Sequence, residues 1–333
     1  MSSPQSKTLT VAELKSSRRR PGEAFEAILL IRKLTSRTAK NNNPFLIIEA
    51  GDKSGSFQFT CFHDNPVFAA LQEAGEGAAI RLRGQIDHYQ NRLSPRIVDF
   101  DLMDEASLSR EEVLDRLVPS TEEDPDALME ELFGFVALIG HEGLRGTVEA
   151  VFAEIAPAFK SAPAAVSMHH ACRGGLLEHT VHMARACRAL LPLYPEVHPD
   201  LALAGVLLHD IGKTVEYEGS LAFRRSRTGI LQGHVVLGYR MVRKAGLKVK
   251  LDADLLERLE HIVLSHQGEL EWGAAAMAAT PEAVFVSMVD NLDARMGMVQ
   301  QSLRETAETE VFSDYLPGLK APLLRTPPPA GEE

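Results

Sequence analysis

From Phe25 to Asp104 apolar and polar residues alternate in short runs, the two-residue period of strands with one buried face. Five runs read as strands, at 25–33, 45–50, 55–62, 78–86 and 93–100. Asn41-Asn42-Asn43-Pro44 and Asp52-Lys53-Ser54-Gly55 mark tight turns. In the second run the alternation predicts Leu46, Ile48 and Ala50 pointing inward, with Phe45, Ile47 and Glu49 outward. In the fourth, Ile80, Leu82 and Gly84 alternate with Arg81 and Arg83. A short helical stretch, Pro66 to Ala74, falls between the third and fourth strands. From about residue 127 to 306 the period lengthens to that of helices, with segments near 127–139, 143–160, 174–191, 200–210, 234–245, 252–266 and 280–306.

Five strands with a helix in that gap follow the order of an OB-fold barrel. The expected organisation is a basic flexible arm (1–20), an OB-like β-barrel (21–104), an acidic, partly helical linker (105–126), an all-α domain (127–306) and a tail (307–333). The tail's end, TPPPAGEE, has the composition of a disordered segment. No internal repeat is visible.

With 333 residues, 45% hydrophobic and 24% charged, the chain is long enough for two soluble domains. No run reaches the 18 or so apolar residues of a membrane span, and the first twenty residues lack the apolar core of a signal peptide. Three widely spaced cysteines without a CxxC suggest neither a disulfide scaffold nor a zinc ribbon, so a cytoplasmic protein without a membrane partner is expected. Oligomeric state has no signature here. A net charge of −11 argues against non-specific coating of nucleic acid. The charge is uneven, however: residues 1–104 hold 14 Lys and Arg against 12 Asp and Glu, and the remainder 21 against 34. A basic arm on an acidic protein suits a polyanion held briefly and released, although such an arm is equally a solvated tail.

The residues that promise chemistry are His179, the His209-Asp210 pair, His234, His266 and Asp290. His209 and Asp210 end a nearly all-apolar helix, LALAGVLLHD. A helix that apolar is buried, and a buried Asp costs several kcal/mol unless it is paired, hydrogen-bonded or bound to a metal. Asp290 likewise follows an apolar run, EAVFVSMVD. Buried histidines and aspartates on several helices make a mixed nitrogen and oxygen metal site. The dipeptide alone is weak, since 12 His and 16 Asp yield about 0.6 His-Asp pairs by chance. His63-Asp64, at an exposed strand end, reads as structural, and His182 and His261 as packing or surface residues.

Context lifts the 209/210 pair. GGLLEHT, LLHDIGK, GHVVLG, LSHQGELEWG and MVDNLDA together resemble the HD superfamily, which holds metals in an H…HD…D pattern. With an OB-fold ahead, the order over residues 20 to 300 resembles the YhaM-type 3′→5′ exoribonucleases. The resemblance maps metal ligands onto His179, His209, Asp210 and Asp290, with His234 and His266 matching members that hold a second ion. Where the family usually reads LSHHG, this chain has Gln267, which implies a second ion held by fewer strong ligands. The doublet His169-His170 also resembles a family feature that lines the pocket or fixes its loop.

One or two divalent ions, most suitably Mn²⁺ with Fe, Co or Ni as alternatives, are the expected cofactors of such a site. Asp210 is expected to bridge them and Lys213 to stabilise charge on phosphoryl oxygens; Lys213 could instead complement the helix dipole. Phe45, Phe62, Tyr89, Arg81 and Arg83 are the outward candidates for binding single-stranded RNA or DNA, and Phe57 and Phe59 read as core. The competing functions are a phosphohydrolase of a small nucleotide or cyclic dinucleotide, with the barrel as regulator, and a binding protein on a degenerate HD scaffold.

Overall fold

The computed structural model describes residues 8–16, 20–39, 41–89, 92–103, 116–118, 121, 123–164, 172–219, 223–305 and 310–325. The chain forms two compact units, Met1–Ser120 with Gly219–Phe223 and Thr121–Glu218 with Arg224–Glu333. No helix among the described residues is long and apolar enough to cross a membrane.

The first unit opens on α1 (Val11–Lys15). The Thr10 hydroxyl accepts from the Glu13 N–H, and the Glu13 carboxylate accepts from the Thr10 N–H at 2.8 Å, closing a capping box. Val11 and Leu14 are buried in the core of the unit. The arm expected to be flexible is therefore folded at this point. Its signal, Thr-x-x-Glu before an apolar residue, is present in the sequence.

The sheet follows: β1 (Ala24–Thr38), β2 (Pro44–Asp52), β3 (Gly55–Phe62), α2 (Phe68–Ala74), β4 (Ala79–Gln85), a small hairpin of β5 (His88–Tyr89) and β6 (Arg92–Leu93), then β7 (Arg96–Leu102). The five long strands are antiparallel in the order β3-β2-β1-β4-β7. The expected alternation holds. Leu46, Ile48, Ala50, Ile80 and Leu82 are buried, with Phe57 and Phe59 opposite Ala50 and Ile48. A register shift between Ile31 and Lys33 accompanies the change of partner from β4 to β2, so β1 continues to Thr38, well past the expected residue 33. β7 begins later than expected because Arg92 and Leu93 enter the hairpin. No ladder joins β3 to β7 among the described residues, so the sheet is OB-like but open at that edge rather than a closed barrel.

Within the expected linker, Leu117 and Val118 are buried against Ile28, Leu30 and Ala79, while residues 104–115 lie outside the described ones. The outer positions of β1 thus gain a second apolar cover. This explains why residues 27–31 of that strand are all buried.

The second unit is helical: α3 (Pro125–Ala137), α4 (Glu142–Ser161), α5 (Gly175–Leu190), α6 (Pro199–Leu208), α7 (Lys213–Glu216), a short ribbon of β8 (Tyr217–Glu218) with β9 (Arg224–Arg225), then α8 (Arg227–Val249), α9 (Ala253–Ser265) and α10 (Pro281–Glu305). Every residue from Leu201 to Leu208 of α6 is buried. Burying one such leucine or valine is worth roughly 1.5–3 kcal/mol, so this helix sits at the centre of the core and delivers its C-terminal end inside the protein. α8 is longer than the expected 234–245. A leading turn capped by Ser226 joins it through Gly233, whose φ of 69° suits glycine and re-aims the chain just before His234. At Gly212 an added Cβ would lie 2.0 Å from the His234 carbonyl oxygen, so only glycine lets the α6–α7 turn approach α8. Within the expected tail, residues 310–325 are ordered by bridges between Phe312 and Leu324 and between Leu316 and Ala321. The TPPPAGEE end lies outside the described residues.

Candidate metal centre

Six side chains converge from five places in the helical unit. His179 projects from the second turn of α5, and His209 and Asp210 stand at the end of α6. His234 follows the Gly233 kink in α8, His266 caps α9, and Asp290 lies on α10. All but His234 and Asp290 are buried. Their ligand atoms form two groups, His179 with His209 and Asp290, and Asp210 with His234 and His266. The Asp210 carboxylate faces both. Its Oδ2 lies 3.3 Å from His209 Nε2 and 3.8 Å from His179 Nε2, while its Oδ1 lies 3.4 Å from both His234 Nε2 and His266 Nε2.

Each imidazole is oriented by a partner at its other nitrogen. His209 Nδ1 donates to the Val206 carbonyl at 2.8 Å and His266 Nδ1 to the Val263 carbonyl at 2.7 Å, both in the carbonyl-rich last turn of a helix. His234 Nδ1 donates to Glu216 Oε2 at 2.8 Å, and His179 Nδ1 to Asp293 Oδ2 at 2.7 Å. With Nδ1 committed as a donor, all four rings turn Nε2 inward, the arrangement that metal-ligating histidines use.

The electrostatics favour positive charge. For Asp210 burial opposes ionisation, yet Lys213 and His209 beside it hold the carboxyl well below the usual carboxylate range. Burial alone would favour a neutral His179, but the Asp290 and Asp293 carboxylates raise it to about 10. Asp210 Oδ1 is buried and accepts no hydrogen bond from the described residues. An unpaired buried carboxylate oxygen is costly, and a cation among these atoms would answer it, so the donor set fits divalent metal. Lys213 Nζ lies 2.5 Å from Asp210 Oδ2 on the wall of the site, which places its charge at the carboxylate rather than at a solvent-facing helix end.

A cleft of about 250 Å³ opens onto these groups, lined by Lys213, Tyr217, His234, Gln267, Trp272 and Asn291 among others. The Gln267 amide nitrogen lies 3.1 Å from both His234 Nε2 and His266 Nε2. Trp272 is more than half exposed and holds no place in the core, yet it borders the cleft.

Asp293, Glu216, Tyr217 and Trp272 were not singled out from sequence. Asp293 could have been, lying three residues beyond Asp290 on one helix face. Glu216 has no periodic signal. His182, expected to be packing or surface, is half-buried, with its Nε2 2.8 Å from Glu123 Oε1 and its Nδ1 3.6 Å from Asp293 Oδ1. His261 accepts from the Ala279 N–H, a structural contact. His63-Asp64 lies in an exposed turn after β3, and His169-His170 lie outside the described residues.

In the sheet unit the five binding candidates differ in what they touch. Phe45 and Phe62 are register partners on β2 and β3, with ring centroids 6.0 Å apart and Phe62 exposed. Arg37 of β1 pairs with Phe45 on its other side and is exposed. Tyr89 is exposed on the small hairpin. Arg81 and Arg83, beyond β1, are engaged by carboxylates: Arg81 with Glu26 at 3.0 Å, and Arg83 with Asp99 at 2.6 Å and Asp101 at 2.8 Å. The acidic residues opposite them on β1 and β7, invisible to alternation along β4, neutralise both.

Residues 176–295 match the family model described as HD domain. Over 289 residues, 87% of this chain and 88% of the relative, the sequence is 28% identical to the 3′-5′ exoribonuclease YhaM of Geobacillus sp. (strain WCH70). It is also 28% identical to the 3′-5′ exoribonuclease YhaM of Shouchella clausii (strain KSM-K16), over 303 residues that cover 90% of this chain and 92% of the relative. The chain is thus similar to these YhaM proteins along most of its length, and the segment matched by the HD domain model encloses all six converging side chains.

Proposed function

We propose that this protein is a metal-dependent phosphodiesterase that removes nucleotides from the 3′ end of single-stranded RNA in the cytoplasm. In this reading residues 127–306 form the hydrolytic domain, and residues 21–104 hold the strand. The observation that carries it is the Asp210 carboxylate, shared between two groups of inward-turned ligands beside an open cleft. The name of the relatives supports the choice of substrate and polarity.

Four imidazoles with two carboxylates suit Mn²⁺, Fe, Co or Ni better than Mg²⁺, which prefers oxygen. One or two divalent ions held by His179, His209, Asp210 and Asp290, and by Asp210, His234 and His266, would supply Lewis acidity and acidify water at neutral pH. The chain's own groups do the rest. Lys213, a half-buried ammonium kept charged by Asp210, can shift toward a phosphoryl oxygen in the cleft and balance charge that develops there. Asp293 and Glu216 hold His179 and His234 in their ligand orientation. Tyr217 and Trp272 offer aromatic faces to a terminal base, and in the sheet unit Phe45, Phe62 and Arg37 offer a stacking pair beside a cation. Residues 219–251 carry eight Lys and Arg and no Asp or Glu, a basic stretch suited to phosphates within an otherwise acidic half.

The test is 5′-labelled single-stranded RNA with Mn²⁺, beside a DNA oligonucleotide, nucleotides and a cyclic dinucleotide. A ladder shortening from the 3′ end, stopped by chelator, is expected. Asp210→Ala should lose both metal binding and hydrolysis. Hydrolysis confined to the nucleotide or cyclic dinucleotide would transfer the site to the small-molecule reading, and wild-type Mn²⁺ stoichiometry in Asp210→Ala would remove Asp210 from the ligands.

A further inference from the structure

Gln267 follows His266 where α9 gives way to a turn, and its amide reaches back across the Asp210–His234–His266 group. The nitrogen Nε2 sits 3.1 Å from each of two imidazole nitrogens. What those nitrogens are is settled by the far side of each ring. His234 Nδ1 donates to Glu216 and His266 Nδ1 donates to Val263, so in the neutral rings both Nε2 atoms carry lone pairs. An amide NH₂ has two hydrogens and can serve both. Its oxygen, turned the same way, would meet two lone pairs. The network itself thus assigns NH₂ to this position.

Asp210 Oδ1 completes the picture. It lies 3.4 Å from the same two Nε2 atoms, is buried and accepts no hydrogen bond from the described residues. Three lone-pair atoms therefore converge, two answered by Gln267 and the third by no donor among the described residues. A cation there would satisfy all three at once, but only if the amide has withdrawn from the two imidazoles.

We propose that Gln267 is an internal competitor for the second metal ion: its amide occupies the imidazole pair and must swing into the cleft before that ion enters. This rests on reading the HD unit as a metal-dependent phosphodiesterase and adds a control over how many ions it holds. Two neutral hydrogen bonds must be given up, each worth roughly a factor of 2 to 10 in an equilibrium constant. Gln267 is half-buried and borders the cleft, so the withdrawn amide has somewhere to go. The group around His179 and His209 is not touched by the amide in any hydrogen bond described, so its affinity is independent of Gln267.

The opposite role, an amide oxygen that ligates the second ion, differs in sign. Removing a competitor tightens the second site, whereas removing a ligand weakens it. Full-length protein and Gln267→Ala are to be titrated with Mn²⁺ by calorimetry and by electron paramagnetic resonance, in which a spin-coupled pair reports the second ion. The coupled signal is expected at about tenfold lower free Mn²⁺ in Gln267→Ala, with first-ion affinity unchanged. Second-ion binding that is weaker, unchanged or absent in the variant overturns the proposal. In the wild type, a Zn²⁺ titration followed through the Gln267 side-chain amide resonances should move them only with the second equivalent. Movement with the first equivalent, or none, also overturns it. Hydrolysis of RNA by the wild type is scored separately. A protein that shows this Gln267 dependence but cleaves no RNA retains the competitor and loses the exonuclease.

Discussion

Asp293 Oδ2 accepts a hydrogen bond from His179 Nδ1 at 2.7 Å, and on the other side of that ring His179 Nε2 lies 3.3 Å from Asp290 Oδ1. Two carboxylates one turn apart on α10 thus grip one imidazole from both edges, the first orienting it and the second joining it as a prospective ligand. Removing the orienting partner frees the ring to rotate and weakens its basicity. Asp293→Asn should therefore cost about 10- to 100-fold in first-ion affinity while the protein stays folded. Calorimetric metal titration beside a thermal melt checks this. Unaltered affinity would show that Asp293 does not position the ligand.

The same grip makes metal binding depend on pH. The His179 value of about 10 lies above its ordinary 6.5. In the metal-free protein this group therefore stabilises the fold fully below about pH 6.5, and the contribution fades as pH rises through about 10. An ion entering near pH 8 must expel that proton, so first-ion affinity should climb with pH by up to about tenfold per unit. Calorimetry in buffers of different ionisation enthalpy should count close to one proton released per ion, and a count near zero would contradict the assignment.

Phe45 and Phe62 form an aromatic pair on the outer side of β2 and β3, and stacking is worth about 1–3 kcal/mol per base, roughly 5- to 150-fold in binding. Replacing both with alanine should raise KM for a long single strand and leave hydrolysis of a small phosphodiester unchanged. Phe62, being exposed, carries little fold stability. Arg81→Ala should change RNA binding far less, since that guanidinium is already engaged by Glu26. A larger effect from Arg81 than from the phenylalanines would reverse the assignment of the binding face.

Trp272 is the sole tryptophan of the chain, and it stands at the cleft mouth. Its fluorescence should be quenched when a mononucleotide or the end of an RNA strand enters, because a stacked base opens a charge-transfer route of decay to the excited indole. Trp272→Ala should raise KM by about 5- to 100-fold with smaller change in kcat. Titration of the intrinsic fluorescence with a non-hydrolysable dinucleotide decides it. An unresponsive signal despite measurable binding would leave Trp272 outside the substrate path.

The sequence by itself determined what is periodic or local. Alternation along 45–50 separated the buried face of β2 from its outer one, and the apolar run before His209-Asp210 required a helix whose end lies inside the core. Local periods report which face of an element is buried, because burial is what makes them periodic. The ordered blocks around His179, His234, His266 and Asp290 imply a common site through their resemblance to the HD superfamily. Tertiary structure decided what each of those groups touches. His179 and Asp293 stand 114 positions apart, and only the packing of α5 against α10 joins them. Glu216 meets His234 because Gly212 and Gly233 allow α7 and α8 to approach. Arg81 and Arg83 read as outward cations in β4, but the strands on either side supply the carboxylates that occupy them. Strand order and helix packing arise from burial summed over the whole core, and no period along one segment encodes the partner that such packing brings to its side.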